Sequence, residues 1–458
     1  MTKAPFAYTA GRWLHLDKEQ RQARYLRFDF DALCEKVLSL SPLAASIQSC
    51  QKLEGGFSRA FIFTTDDGRR VVAKFPMPVA GSPRFITNSE VATITYLKSN
   101  TKISIPEILD WNDDPSNPIG SAYIIMQHAG GVSLQQAWPG MSSLQKMHCI
   151  RDINKNIMQL SKLDFPAYGS LYFSDATFFG SESKFKLQDE KYCVGPHCKT
   201  TYWDCNVGEP RYYHFKGPNQ GPSLLNQGQA VFPKLIQHPQ LQSNAAPTIF
   251  HPDLHKRNIF VSEDDPTVVT NLIDWQSASI EPAFYYSDDV PDFAKPPSEE
   301  TETPTGEDYC SKVYAAGLAF LAPRLTAARN IDEALLRPLR YCHRTWRDGV
   351  VPFSHGLTEL RERWEELGFK DECPIPTPTV EEKRVYEERL DTYNKFLEVR
   401  QDLVETLGVE EDGWTPLDRR EETVEAHRQV YEIIMSGLDN DQDRAEMTVM
   451  WPFDSIKT

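Results

Sequence analysis

The sequence predicts an α+β protein of two lobes, a small antiparallel sheet followed by a larger and mainly helical part. Three observations carry this. Short β-rich runs separated by Gly and Asp turns occupy residues 52–127. From residue 308 onward apolar residues recur at helical spacing. Between them, residues 249–276 read as a polar loop followed by a hairpin with acidic and amide side chains at its mouth.

That hairpin is the most informative stretch. His251-Pro-Asp253-Leu-His255-Lys-Arg-Asn258 precedes the apolar triplet Ile259-Phe-Val261. The turn Glu263-Asp-Asp-Pro266 leads into Val268–Ile273, and Asp274-Trp275-Gln276 follow. Asp or Asn alone on a loop commonly caps a turn. An Asp and an Asn five positions apart, with a second Asp at the end of the return strand, suit metal-assisted phosphoryl transfer. Asp253 would orient a hydroxyl nucleophile, and Asn258 and Asp274 would hold Mg²⁺ against phosphates.

His251-x-Asp253-Leu-His255-x-x-Asn258 and Ile273-Asp274-Trp275 resemble the catalytic loop and metal motif of the aminoglycoside phosphotransferase (choline kinase-like) family. The longer pattern, beginning Tyr8-Thr-Ala-Gly-Arg-Trp13, is similar to the fungal branch named for altered inheritance of mitochondria protein 9. The resemblance implies a two-lobed protein-kinase-like fold with ATP and Mg²⁺ between the lobes. The expected division is an N-terminal extension and N-lobe over 1–127 and a C-lobe over 128–458. The C-lobe would hold a substrate insert at 165–248, the catalytic hairpin at 249–276 and C-terminal helices.

In chain order, residues 29–41 have the apolar spacing of a helix. Lys52–Phe63 reads as strand, glycine turn and strand. Gly55 and Gly56, with Phe57 and Ser58, would let backbone N–H groups approach phosphate oxygens, although Gly-Gly between strands is also an ordinary hairpin turn. Arg70–Phe75 is a strand carrying Lys74, which resembles the kinase lysine that pairs with the α- and β-phosphates. Asn88-Ser89 is expected to cap a helix, placing Glu90 in its first turn as the partner of Lys74. A first-turn Glu is also favoured by the helix dipole alone.

Ile108-Leu109 and Ala122–Gln127 are the next strands, and the second runs into His128-Ala-Gly-Gly131. By resemblance Met126, Gln127 and His128 form the hinge against which an adenine would lie. Residues 142–164 form an amphipathic helix. Residues 165–248 are aromatic, rich in Gly and Pro and weakly periodic. Within them Cys193, His197, Cys198 and Cys205 do not match paired zinc-ligand spacing and read as a packed turn. The acidic, proline-rich stretch 286–308 reads as a solvated loop, with Asp288, Asp289 and Asp292 able to form a rim that attracts amines. Helices are expected over 308–329 with a break near Pro323, then over 330–347, 359–368, 380–407 with Gly408 as its stop, and 420–437.

The chain has 458 residues, enough for two lobes or domains. With 49 Lys and Arg against 65 Asp and Glu, its formal charge of −16 argues against a nucleic-acid or anionic-lipid surface. Nine scattered cysteines favour a reducing compartment over a disulfide framework. No apolar run approaches the roughly 18 residues of a membrane span. Arginines near the start are interrupted by acidic residues, so no clear import presequence is read. The family name implies mitochondria, and cytoplasm is the other expectation.

These readings converge on ATP- and Mg²⁺-dependent phosphorylation of a hydroxyl on a small molecule, with a cationic alcohol favoured by the acidic rim. Asp253 is the expected proton acceptor, with His251 a brace for the loop. His255 and Lys256 are expected to face solvent, Lys256 within reach of a γ-phosphate. The alternative is a kinase-like scaffold with a mitochondrial role and little turnover.

Overall fold

Strand-forming residues alternate cleanly in the first sheet: along Ser58–Thr65 every second residue is buried, including Phe61 and Phe63. The computed structural model describes residues 5–202, 221–286, 289–295 and 306–454. The chain divides into two compact units. One comprises Met1–Phe6, Leu26–Cys205 and Ser243–Asn330; the other comprises Ala7–Tyr25, Asn206–Gln242 and Ile331–Thr458.

The first unit has the two-lobed kinase-like α+β fold. Its sheet has five antiparallel strands: β1 (Ile47–Glu54), β2 (Ser58–Thr65), β3 (Arg70–Pro76), β4 (Ile108–Asn112) and β5 (Tyr123–Gln127), in the order β1-β2-β3-β5-β4. One core contains Phe61, Phe63, Val71, Phe75, Tyr123 and Ile125 with Leu33 and Val37 of helix α1 (Phe30–Ser39). Asp29 caps α1 by accepting from the Ala32 N–H at 2.9 Å.

Helix α2 (Pro83–Asn100) carries Glu90, but it begins earlier than expected. Pro83 stands in its first turn, where a missing N–H costs nothing, so Glu90 lies in the helix interior and not in the first turn. Asn88 caps nothing. It is buried, and its side chain reaches sideways to Asp113 at 2.9 Å and to the Phe173 N–H at 3.2 Å.

Beyond β5 a second core gathers around helix α3 (Ser143–Ser161), which starts with a capping box between Ser142 and Gln145. Strands β6 (Val132–Ser133), β7 (Ser170–Phe173), β8 (Phe185–Lys186) and β9 (Tyr192–Gly195) follow. Then come β10 (Pro247–Phe250), β11 (Ile259–Val261), β12 (Val269–Leu272) and β13 (Ser279–Pro282). They form the antiparallel sets β7-β9-β8, β12-β11-β6 and β10-β13. Helix α4 (Gly306–Leu321) lies against α3, and α5 (Pro323–Arg329) follows the expected break. Close approach of α3 and α4 requires glycine at 317: a Cβ there would stand 2.1 Å from Asn154 Nδ2.

In the second unit Gly11–Trp13 pairs antiparallel with Trp414–Pro416. The long helix Val380–Leu407 has the expected extent, with a capping box at Thr379 and Glu382 and Gly408 in the left-handed region at φ 59°. The helix expected over 359–368 instead spans Val351–Glu362, because Pro352 is tolerated in its first turn. Gly221–Leu235, with Pro233 inside, and Asp441–Met450 are helices that weak periodicity concealed. Among the described residues no helix is long and apolar enough to cross a membrane.

Candidate active site

The hairpin forms as expected, β11 pairing with β12 through Ile259 and Leu272. A single 3₁₀ turn, Lys256–Asn258, closes the loop before it. His251 braces that loop. One ring nitrogen lies 3.0 Å from the Ile273 carbonyl, and Nδ1 accepts from the Asp253 N–H at 3.2 Å. The second contact assigns the proton to Nε2, so the first is a donation that ties the base of the loop to the end of β12. Burial lowers the His251 pKa, so the ring stays neutral in this role.

Asp253 and Asn258 are brought together. Asn258 Nδ2 donates to the Asp253 carboxylate at 2.7 Å and to its backbone carbonyl at 2.9 Å. Asn258 Oδ1 accepts no hydrogen bond among the described residues, so its carbonyl end is available to a hard cation. Arg257, which the sequence reading passed over, grips Asp253 Oδ2 through Nη2 at 2.7 Å and Nε at 3.1 Å. Its four-residue spacing from Asp253 was the available signal.

His255 and Lys256 are not simply solvent-facing. Asp292 accepts from the Lys256 N–H at 3.0 Å and donates its own N–H to His255 Nδ1 at 3.2 Å. The other His255 nitrogen lies 3.3 Å from Asp253 Oδ1. Hydrogen bonding to Asp292 raises the His255 pKa, with burial opposing. Lys256 Nζ stands over the Trp138 ring and 3.7 Å from Asp292. Asp292 therefore clamps the loop before the hairpin instead of forming a free rim. Asp288 and the acidic residues 299–302 lie outside the described residues.

Lys74 sits at the centre of the second cluster. Its Nζ is 2.6 Å from Glu90 Oε1 and 2.6 Å from Asp274 Oδ1. Burial alone would lower the Lys74 pKa, but Asp274 and Glu90 together raise it, keeping the ammonium charged. Burial would raise Asp274, yet Lys74 beside it holds the carboxyl below its ordinary value. Glu90 is 2 % exposed and is raised by that burial. Asp274 adopts φ 65°, an uncommon conformation for a residue other than glycine, and fully buried Trp275 packs its ring against His251 behind it.

The glycine turn stands near this cluster. Gly55 N–H donates to the Ser58 carbonyl at 3.0 Å, and Phe57 O accepts from Met77 N–H at 2.9 Å and from Gln276 Nε2 at 3.4 Å. Neither glycine is forced by the fold. A Cβ on Gly56 would meet nothing within 4 Å, and one on Gly55 only the Ser58 carbonyl at 3.7 Å. At the hinge, Val72 pairs with Met126, and the N–H groups of Gln127 and His128 donate to Glu107 and Arg70. Cys193 and Cys198 are buried, and Cys205 lies outside the described residues.

A subtelomeric hrmA-associated cluster protein of Aspergillus fumigatus is 26 % identical over 299 residues, covering 50 % of this chain and 57 % of that protein. This chain thus spans little more than half of that relative. Altered inheritance of mitochondria protein 9, mitochondrial, of Yarrowia lipolytica is 22 % identical, covering 91 % of this chain and 85 % of its own. Among solved structures, ADP-bound aminoglycoside phosphotransferase APH(2'')-Ib is 15 % identical with a TM-score of 0.37, covering 72 % of this chain and 98 % of that one. The phosphotransferase enzyme family matches residues 49–285, more than half of the sequence and nearly every residue of both clusters, and the chain belongs to that family.

Proposed function

We propose that this chain transfers the γ-phosphoryl group of ATP, with Mg²⁺, to a hydroxyl of a small molecule. The observation that carries the reading is the convergence of Lys74, Glu90 and Asp274 in the unit that also presents Asp253 and Asn258 on one hairpin. Mg²⁺ would supply charge neutralisation at the phosphates, and one carboxylate with one amide oxygen is the donor set such an ion uses when phosphates and waters complete its shell. Asp274 and the free Asn258 Oδ1 would hold it. Lys74, kept charged and aimed by Glu90, would bind the α- and β-phosphates. Gly55 and Gly56 leave open space, where the backbone of this turn, with Phe57 and Ser58, would approach phosphate. With the Gln127 and His128 N–H groups engaged by Glu107 and Arg70, the remaining backbone groups of Gln127 to Ala129 would offer an adenine its hydrogen bonds.

Asp253 would accept the acceptor's hydroxyl proton, its carboxylate oriented by Asn258 and Arg257. On this reading the division near residue 127 separates the nucleotide-covering lobe from the catalytic lobe. The relatives named as mitochondrial support the mitochondrion as its location. The test is thermal melting with and without MgATP, followed by a screen of a metabolite extract for an MgATP-dependent mass gain of one phosphate. Ligand at about 100 times its Kd stabilises by about 2.7 kcal/mol, so a rise in Tm is expected. No rise at millimolar MgATP would leave the scaffold reading in its place.

A further inference from the structure

Glu90 and Asp274 are carried by different segments, α2 and the stretch between β12 and β13. In kinase folds the corresponding pieces must both be in position before catalysis, and their displacement is a means of control. Here one small sheet touches both. On the α2 side, Asn88 Oδ1 accepts from the Phe173 N–H at the end of β7, at 3.2 Å, while its amide donates to Asp113 at 2.9 Å. Ser89, one residue before Glu90, accepts from Cys198 Sγ at 3.5 Å. An aromatic series, Tyr96 on Tyr192, Tyr192 on Phe173 and Phe173 stacked on Trp111, closes α2 and β4 over the same sheet.

The other side of the sheet reaches the segment that follows Asp274. Ser170 Oγ accepts from the Cys198 N–H at 3.2 Å and donates to the Ala278 carbonyl at 3.2 Å. Gly169 and Ile280 exchange backbone hydrogen bonds of 3.0 and 2.7 Å. Ser170, Asn88 and Ser89 are all buried, so water does not replace these bonds cheaply. A continuous polar path therefore runs from the helix of Glu90 through β7 and Cys198 to the segment of Asp274.

We propose that the β7-β9-β8 sheet is a staple holding Glu90 and Asp274 at a fixed spacing around Lys74, with Asn88 and Ser170 as its positioning residues. The inference rests on the function proposed above for what the spacing serves, but the staple itself is a property of the ligand-free chain. It makes the nucleotide cluster permanently assembled, with no separate step to bring α2 inward.

Hydrogen exchange on the ligand-free full chain tests this, read in peptides covering 86–97 and 272–282. Asn88→Asp sets a carboxylate against Asp113 and removes the bond between them. It is expected to speed exchange by about ten-fold not only in 86–97 but also in 272–282, which Asn88 does not touch. Ser170→Ala is expected to do the converse, speeding 86–97 as well as 272–282. The double variant Asn88→Asp with Asp113→Asn exchanges the two groups, re-forms both bonds and should restore wild-type exchange. Peptides from β1 and β2 serve as the reference for global stability. Acceleration confined to the mutated side in both variants, or failure of the exchange of groups to restore protection, overturns the staple. Should Asn88→Asp not fold, Ser170→Ala decides by the same criterion. Absence of nucleotide binding would overturn the proposed function and leave this result standing.

Discussion

Lys74 and Asp274 are 200 positions apart in sequence and meet at 2.6 Å, with Glu90 at the same distance on the other side of the ammonium. Asp274 takes its positive partner from Lys74. Nucleotide and Mg²⁺ would exchange these partners, Lys74 turning to phosphate and Asp274 to the cation. Because Glu90 is buried, removal of Lys74 also leaves a carboxylate in a place that cannot solvate it. Lys74→Met is therefore expected to lose about 3–5 kcal/mol of stability as well as nucleotide affinity. Lys74→Met combined with Glu90→Leu should regain most of the melting temperature while nucleotide binding stays lost. Recovery of both together would show that Lys74 serves packing alone.

Asp253 is held by Asn258 and Arg257 at 2.7 Å each. Asp253→Asn keeps the shape and removes the charge, so kcat should fall by about 10²–10⁴-fold with nucleotide affinity nearly unchanged. Turnover at the wild-type rate would take Asp253 out of the chemistry.

Asp274 and Asn258, as the proposed metal pair, would separate by charge. Asp274→Ala removes a formal negative charge, and Asn258→Ala removes a neutral oxygen that accepts nothing else among the described residues. Titration of Mg²⁺ against ADP binding should show loss of metal dependence in the first and a smaller weakening in the second. Metal dependence equal to wild type in both would place the ion elsewhere.

The hairpin was legible in the sequence because its residues lie in short, fixed spacings that local patterning specifies: Asp253 and Asn258 meet within one loop, and β11 and β12 carry the chain to Asp274 at the end of the return strand. The Lys74–Glu90 pair was reached despite a misplaced helix start, since Asn88 looks like a cap and proves to be a lateral bridge. Asp292 looked like surface charge because the bonds that tie it down run to the Lys256 backbone N–H and the His255 ring, 36 and 37 positions away. The helix Gly221–Leu235 was missed because Pro233 and weak apolar spacing hide a helix stabilised by its tertiary surroundings.

His197 gives a pH prediction. Burial, followed by Lys199, lowers its pKa to about 4, while in the unfolded chain the ring titrates near ~6.5. Between those values the unfolded state binds the extra proton. The stability His197 contributes is therefore complete above about 6.5 and is lost as pH falls toward 4. His197→Gln should flatten the pH dependence of the denaturation midpoint across that window by up to about one proton. An unchanged slope would mean the ring titrates alike in both states.

The acceptor should be a small molecule and not a protein. Protein kinases keep a long segment after the metal-binding Asp, which is anchored by phosphorylation and receives a peptide. Here Trp275 is fully buried, its Nε1 donates to the Leu272 carbonyl at 3.3 Å, and β13 begins pairing with β10 at Ser279. Only a few residues separate Asp274 from a strand, so no segment is left there to flip or to bind a peptide. Pro252 occupies the place where an arginine would dock a phosphorylated loop. Asp292 is already bound to the catalytic loop, so any preference for a cationic alcohol must come from other groups, and such steering weakens with salt. Incubation with labelled ATP should leave generic protein and peptide substrates at background, while an extract of small metabolites yields an Asp253-dependent phosphorylated product. Strong Asp253-dependent labelling of a protein substrate would defeat this reading.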